Sequence, residues 1–219
     1  MDDTIQDHEI CIPDYNIIRK DRTDNCGGGV AAYIRNNVPF VRHSEFETDK
    51  IEALWIEITL PHIKNLLLCV LYRPQESKVE WIDHFHDMMS IPRNCSQDIV
   101  IIGDFNINLL HETNKKWKQE VNLYNLKQMV QEPTRETDQT STLIDHVYTT
   151  NESRVVNVTI PHIRLSDHYP IYFTWQHVSQ KANCNKKGHQ SILYRATHLR
   201  IPSDCMTYKI VVGNTFLMR

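Results

Sequence analysis

The chain has no membrane-length apolar run, no paired cysteines and no nucleotide-binding glycine loop, and each absence removes a class of function. No apolar run approaches the roughly 18 residues that a membrane span needs, so no membrane partner is expected. Its six cysteines (11, 26, 69, 95, 184 and 205) include no C-x-x-C pair, which argues against a zinc module. Cys69 falls inside an apolar strand pattern, where a thiol is a small core residue. Glycine is scarce, six in all, and three stand together as Gly27-Gly-Gly29. No G-K-[ST] follows them and the spacing is not G-x-G-x-x-G, so the run is a tight turn before a strand over 30–34. The opening Met1-Asp-Asp-Thr-Ile-Gln-Asp-His-Glu9 is acidic and has no apolar h-region. That predicts an unsecreted, intracellular chain, nuclear or cytoplasmic, with reduced thiols.

What is present is the composition of one globular domain with a sizeable core. Twenty-four Lys and Arg against 27 Asp and Glu give a formal charge of −3, so the total demands no polyanionic partner. The charge is uneven. From Gln176 to Arg219 seven bases face the single acid Asp204, which leaves that segment near +6 and the body near −9. The periodicity fades over the same segment, so 177–219 is expected as a basic, poorly ordered linker or tail, and 9–176 as the domain.

The densest signal is Asp98-Ile-Val-Ile-Ile-Gly-Asp-Phe-Asn106. A continuous apolar run stopped by glycine predicts a strand buried on both faces. Alternation then sets Asp104 and Asn106 on one side and Phe105 on the other, toward the core. Taken alone the motif is also an ordinary turn, since Asp and Asn are turn residues.

Along the chain, strands are expected over 15–18 and 30–34, with 19–22 as a charged edge or loop. A hairpin follows, its first strand (51–59) alternating as if half-buried and its second (66–72) wholly apolar, ending at Tyr72-Arg-Pro74. Ser77 is placed to cap a helix whose apolar stripe runs through Val79, Trp81, Ile82, Phe85, Met88 and Met89. Asp83, His84, His86 and Asp87 surround that stripe and are expected as its solvated face rather than a metal cluster. One or two helices over 111–132, a Thr-rich loop over 133–142, and strands over 143–148, 154–160 and 171–175 complete the domain. Many strands with few, peripheral helices predict an α+β sandwich.

Four strand ends then carry chemistry-capable groups: Tyr72, Asp104 with Asn106, Asp145, and Asp167 with His168. Carboxylates in such places are costly unless paired, hydrogen-bonded or bound to metal. Oxygen donors with one spare His suit a hard cation such as Mg²⁺.

Gly103-Asp-Phe-Asn106, Leu143-Ile-Asp-His-Val-Tyr148 and Ser166-Asp-His-Tyr-Pro-Ile171 resemble the ordered motifs of the endonuclease/exonuclease/phosphatase superfamily. The run from Ile12-Pro-Asp-Tyr to Trp175 is similar to its branch in non-LTR retrotransposons, the LINE and jockey-like elements. Arg19 to Arg22, Gly27-Gly-Gly-Val30, Glu52-Ala-Leu-Trp55, Tyr72-Arg-Pro74 and Pro133-Thr-Arg135 carry that finer likeness. The resemblance implies a deoxyribonuclease-like, four-layer α/β-sandwich of two packed mixed sheets. It implies cleavage of a DNA phosphodiester with Mg²⁺ or Mn²⁺ and no small-molecule cofactor. It also assigns roles. Asp104 orients or deprotonates the attacking water, with Asn106 holding water or phosphate. Tyr72 touches the phosphate, Asp167 ligates or supports the metal, and His168 stabilises the developing charge, held by Asp145. Arg73, Ser141 and Thr142 would contact substrate, and His146 is structural. Which carboxylate is the base stays open. Against the family pattern the chain is expected to lack the first strand, the first helix and the Glu that follows them, which would weaken the metal site. Two alternatives remain: a non-catalytic remnant that binds nucleic acid or protein, and a phosphatase on the same fold.

Overall fold

The computed structural model describes residues 6–22, 29–59, 64–95, 97–111, 115–163, 166–177, 188–194 and 208–214. In chain order it contains β1 (Tyr15–Asp21), β2 (Gly29–Arg35), β3 (Phe40–Arg42), β4 (Glu52–Ile58), β5 (Leu66–Tyr72), α1 (Glu80–Met89), β6 (Asp98–Asp104) and α2 (Lys115–Leu123). There follow β7 (Lys127–Gln128), β8 (Arg135–Glu136), β9 (Ser141–Thr142), β10 (Asp145–Thr149), β11 (Val155–Thr159), β12 (Ile171–His177), β13 (Gly188–Tyr194) and β14 (Tyr208–Asn214). None of the described helices is long and apolar enough to cross a membrane.

The strands form two six-stranded mixed sheets. The first runs in the order β1, β2, β14, β13, β12, β11, and the second β3, β4, β5, β6, β10, β7. Each contains one parallel pair, β13 with β14 and β5 with β6, and β8 with β9 makes a separate two-stranded ribbon.

Period-two alternation sorts the apolar residues of the second sheet into two cores. Leu54, Val70, Ile102 and Val147 face the first sheet and meet Ile18, Ala32, Ile34, Phe173 and Trp175. Trp55, Cys69, Ile101 and Tyr148 face the other way, onto Trp81 and Phe85 of α1 and Trp117 of α2. Covering on both faces explains why β5 and β6 read as unbroken apolar runs. It also corrects β4, expected as half-buried: Ala53 through Ile56 are all buried because its second face joins the helix-side core, with Phe46 edge-on to Trp55. Among the described residues both α-helices lie on that one side, so the layers are sheet, sheet and helices.

Two further expectations meet different outcomes. Ser77 does not cap α1; the N-cap position is Val79, without a side-chain hydrogen bond, and Ser77 instead accepts from Arg73 through its carbonyl. The consecutive strands β10 and β11 belong to different sheets, so 150–154 carries the chain from one layer to the other. Within 177–219, expected as a linker, β13 and β14 are strands that join β12 to β2 and make the first sheet continuous. The rest of that segment, and Gly27 and Gly28, lie outside the described residues.

Candidate active site

The site begins as one row across four strands. Glu52 stands opposite Tyr72, Tyr72 opposite Asp104, and Asp104 opposite Asp145. Residues in register point to the same face. These four share the parity of Leu54, Val70, Ile102 and Val147, so they project toward the first sheet at the end of the inter-sheet core. Burial raises the Tyr72 hydroxyl pKa, the Asp104 charge raises it further, and Arg22 opposes both. The phenol stays protonated and able to donate.

Asp104 is held by the turn that follows it. Asn106 takes the left-handed conformation (φ 48°), open to Asn at small cost. Its backbone N–H donates to Asp104 Oδ1 at 3.0 Å, and its side-chain Nδ2 donates to the Arg73 carbonyl at 2.8 Å. The Arg73 N–H donates to the Asp104 carbonyl at 2.8 Å. Phe105 turns to the opposite side, against Trp117, His146 and Tyr148, as alternation requires. The carboxylate is 1% exposed and fixed at both ends of the turn.

Asp145 opens β10, fully buried, and its N–H and that of Ile144 donate to Thr134 Oγ1 at 3.0 and 3.2 Å. His168 arrives on the loop before β12, its N–H donating to Ser166 Oγ. Its Nδ1 lies 2.8 Å from Asp145 Oδ2. A carboxylate accepts, so Nδ1 carries the proton and Nε2 is the ring nitrogen directed at a ligand. Ligand atoms of Asp104, Asp145 and His168 all lie within 4.8 Å of one another, and among the described residues this is the one His/Cys/Asp/Glu group that close. An oxygen-rich set fits a hard divalent cation, and the engagement of Nδ1 by Asp145 gives the imidazole a hydrogen-bonding role.

Tyr72, Asp104, Asn106, Asp145 and His168 are therefore brought together. Asp167 is not in the three-residue group. Its Oδ2 lies 2.7 Å from Arg135 Nε at the rim. Burial pushes its pKa up, but the Arg135 hydrogen bond and the neighbouring His168 outweigh it and hold the carboxyl low. Arg73, expected on substrate, instead donates to the carbonyls of Phe105, Asn106 and Ser77 and lies over Trp81, bracing the turn from behind. Ser141 and Thr142 form β9, with contacts to Glu136 and Thr134 in the ribbon beside the site.

The sequence reading missed the roles of Thr134, Glu52 and Arg22. Thr134 is wholly buried in the Thr-rich loop, and only tertiary contact reveals that it clamps Asp145. Glu52 had a signal, a carboxylate opening an apolar strand whose partner begins the hairpin's far end at Tyr72. His146 is structural, as expected. Its Nε2 faces the carbonyls of Ile107 and Leu143, its Nδ1 the Tyr148 hydroxyl, and complete burial lowers its pKa to about 4.

The Endonuclease/Exonuclease/phosphatase family model matches residues 5–168. No curated protein matches the sequence. Among solved structures, the endonuclease domain of TRAS1, a telomere-specific non-LTR retrotransposon, is similar with a TM-score of 0.58 and 11% identity, over 72% of this chain and 76% of that one. A family protein from Leptotrichia buccalis gives a TM-score of 0.50 at 11% identity, over 74% and 72%. A mannosyl-6-phosphatase from Bacteroides thetaiotaomicron gives 0.49 at 15%, over 75% and 78%. At these identities the likeness is one of fold.

Proposed function

The chain belongs to the endonuclease/exonuclease/phosphatase family, and from that premise we propose that it hydrolyses the phosphodiester backbone of DNA, nicking one strand of a duplex. The observation that carries this reading is the convergence of Asp104, Asp145 and His168, with Tyr72 in register beside Asp104. The choice of DNA is supported by the stretches between the motifs, which resemble the retrotransposon branch.

Asp104, immobilised by the Asn106 N–H, accepts the proton of the attacking water. Asn106 fixes that carboxylate and borders the phosphate. As the imidazolium, His168 donates from Nε2 to a phosphoryl oxygen as negative charge gathers there, while Asp145 accepts from Nδ1–H, orients the ring and offsets its charge. Tyr72 donates its O–H to another phosphoryl oxygen. Water oxygen bonds to phosphorus, the P–O ester bond breaks, and the departing oxygen takes up a proton from solvent water. The carboxylates of Asp104 and Asp145, with Asp167 in support, would hold a divalent cation, Mg²⁺ or Mn²⁺, which would supply polarisation of the phosphoryl group. Arg135 and the Ser141–Thr142 strand form the substrate-side rim.

Supercoiled-plasmid nicking tests the reading, with Mg²⁺ or chelator, for the wild-type chain and Asp104→Ala. Metal-dependent relaxed circles that vanish in Asp104→Ala support it. An intact plasmid alongside turnover of a phosphomonoester would replace DNA nicking by phosphatase activity, and no turnover of either would leave a binding protein.

A further inference from the structure

Glu52 and Arg22 take no part in the chemistry above, yet they stand at the end of its row of residues. Arg22 directly follows β1 in the first sheet and Glu52 opens β4 in the second, so the pair spans the mouth between the sheets. Arg22 Nε and Nη2 donate to Glu52 Oε1 and Oε2 at 3.0 and 3.1 Å, a fork that fixes the guanidinium plane. The guanidinium carbon lies over the Tyr72 ring, 5.6 Å from its centre, so its positive charge stands on the Glu52 side of the phenol.

Hydrogen-bond inventory then settles a direction. Arginine has only donors, so toward Arg22 the phenol oxygen is the acceptor. A phenol has one O–H, and that proton must go to a different neighbour. The residue on the other side of Tyr72 in the ladder is Asp104. Without the guanidinium, the hydroxyl hydrogen is free to choose between two in-plane orientations. With it, the positive charge disfavours pointing that hydrogen toward the Glu52 side.

We propose that the Glu52–Arg22 pair is a positioning device that fixes the Tyr72 hydroxyl as a donor toward the substrate phosphate at Asp104. The device rests on the hydrolytic reading for its substrate. It also explains where a guanidinium serves this site, given that Arg73 is engaged by backbone carbonyls and Arg135 by Asp167.

The test is a double-mutant cycle on duplex nicking with Mg²⁺, using Arg22→Met, Tyr72→Phe and the two combined, with Arg22→Lys and Glu52→Gln as milder variants. Affinity for a fluorescein-labelled duplex in chelator is measured on the same proteins. A group acting through Tyr72 in the transition state lowers kcat with KM unchanged, and its effect disappears once Tyr72 is gone. The expected loss from Arg22→Met is about tenfold in kcat in the wild-type background and under about twofold in Tyr72→Phe. Arg22→Lys, which keeps a donor but not the fork, recovers part of it. Equal losses in both backgrounds, or no loss, would overturn the proposal while leaving hydrolysis intact. If the wild-type chain does not nick, the hydrolytic reading fails and the binding cycle decides. Duplex affinity reduced by Arg22→Met only when Tyr72 is present sustains the positioning role, whereas additive, absent or undetectable effects overturn it.

Discussion

Two of the chain's four Asp-His dipeptides, Asp145-His146 and Asp167-His168, reach the site, and these two copies are used in opposite ways. In Asp145-His146 the carboxylate enters the site and the imidazole enters the core, stacked on Phe105 at 4.7 Å. In Asp167-His168 the imidazole enters the site and the carboxylate turns outward to Arg135. The working dyad is thus assembled from one half of each copy. The cause is alternation and register. Asp145 sits opposite Asp104 on a strand, which forces His146 to the helix-covered face, while the loop carrying Asp167 presents the reverse parity. Identical local chemistry therefore acquires its role from the face it occupies.

The sharpest way to break the contrast is to remove each imidazole in turn. His168→Ala is expected to lower nicking about a thousandfold, since the phosphoryl oxygen loses its donor, with little change in melting temperature. His146→Ala is expected to cost about 3 kcal/mol of stability, measured by denaturant unfolding, because it opens a cavity and takes the acceptor from the Tyr148 O–H, which keeps only the Trp117 Nε1–H donor. Its kcat on the folded fraction should stay near wild type. A catalytic collapse in His146→Ala with stability intact would erase the distinction.

Proton linkage sharpens the same contrast. Burial lowers the folded-state pKa of His146 from 6.5 to about 4. The unfolded chain therefore binds the proton more readily than the folded one between those values. Stability from this group is full above pH 6.5, falls as pH drops toward 4, and levels off below, a change of roughly 3 kcal/mol. Unfolding curves measured from pH 7 to pH 4 should show that slope, and His146→Phe should flatten it. The smallest effect belongs to the outward carboxylate. Asp167→Asn removes an ion pair to Arg135 with both partners over a third exposed, and should cost under about 1 kcal/mol in thermal unfolding.

Much of the fold was legible where one physical signal dominated. The unbroken apolar run of β6 announced a strand covered on both faces, and its glycine stop placed Asp104 and Asn106. The paired apolar strands β4 and β5 announced their hairpin. What stayed hidden depends on partners distant in sequence. β4 alternates as a string the way a half-buried strand does, and nothing local says that its second face will be covered as well. The Thr-rich loop gives no hint that Thr134 holds Asp145. Arg73 was the guanidinium suggested by adjacency to Tyr72, whereas Arg22, fifty positions earlier, is the one at the phenol. The tail strands Gly188–Tyr194 and Tyr208–Asn214 stayed hidden because each holds only a three-residue apolar run, Ile192-Leu-Tyr194 and Ile210-Val-Val212, and gains its pairing from the distant edges of β2 and β12.

Those edges impose a schedule on synthesis. Val30 of β2 pairs with Asn214 of β14, a separation of 184 residues. At a ribosomal rate on the order of 10 residues per second, β2 waits about 20 seconds for its neighbour. Throughout that interval the free edge of β2 stands open to any extended peptide nearby. The second sheet, whose β3 to β10 strands are complete by Thr149, can form first and offer its inter-sheet face as the template on which the later strands settle. Newborn copies are thus at greatest hazard of entanglement with one another just before the last strands emerge.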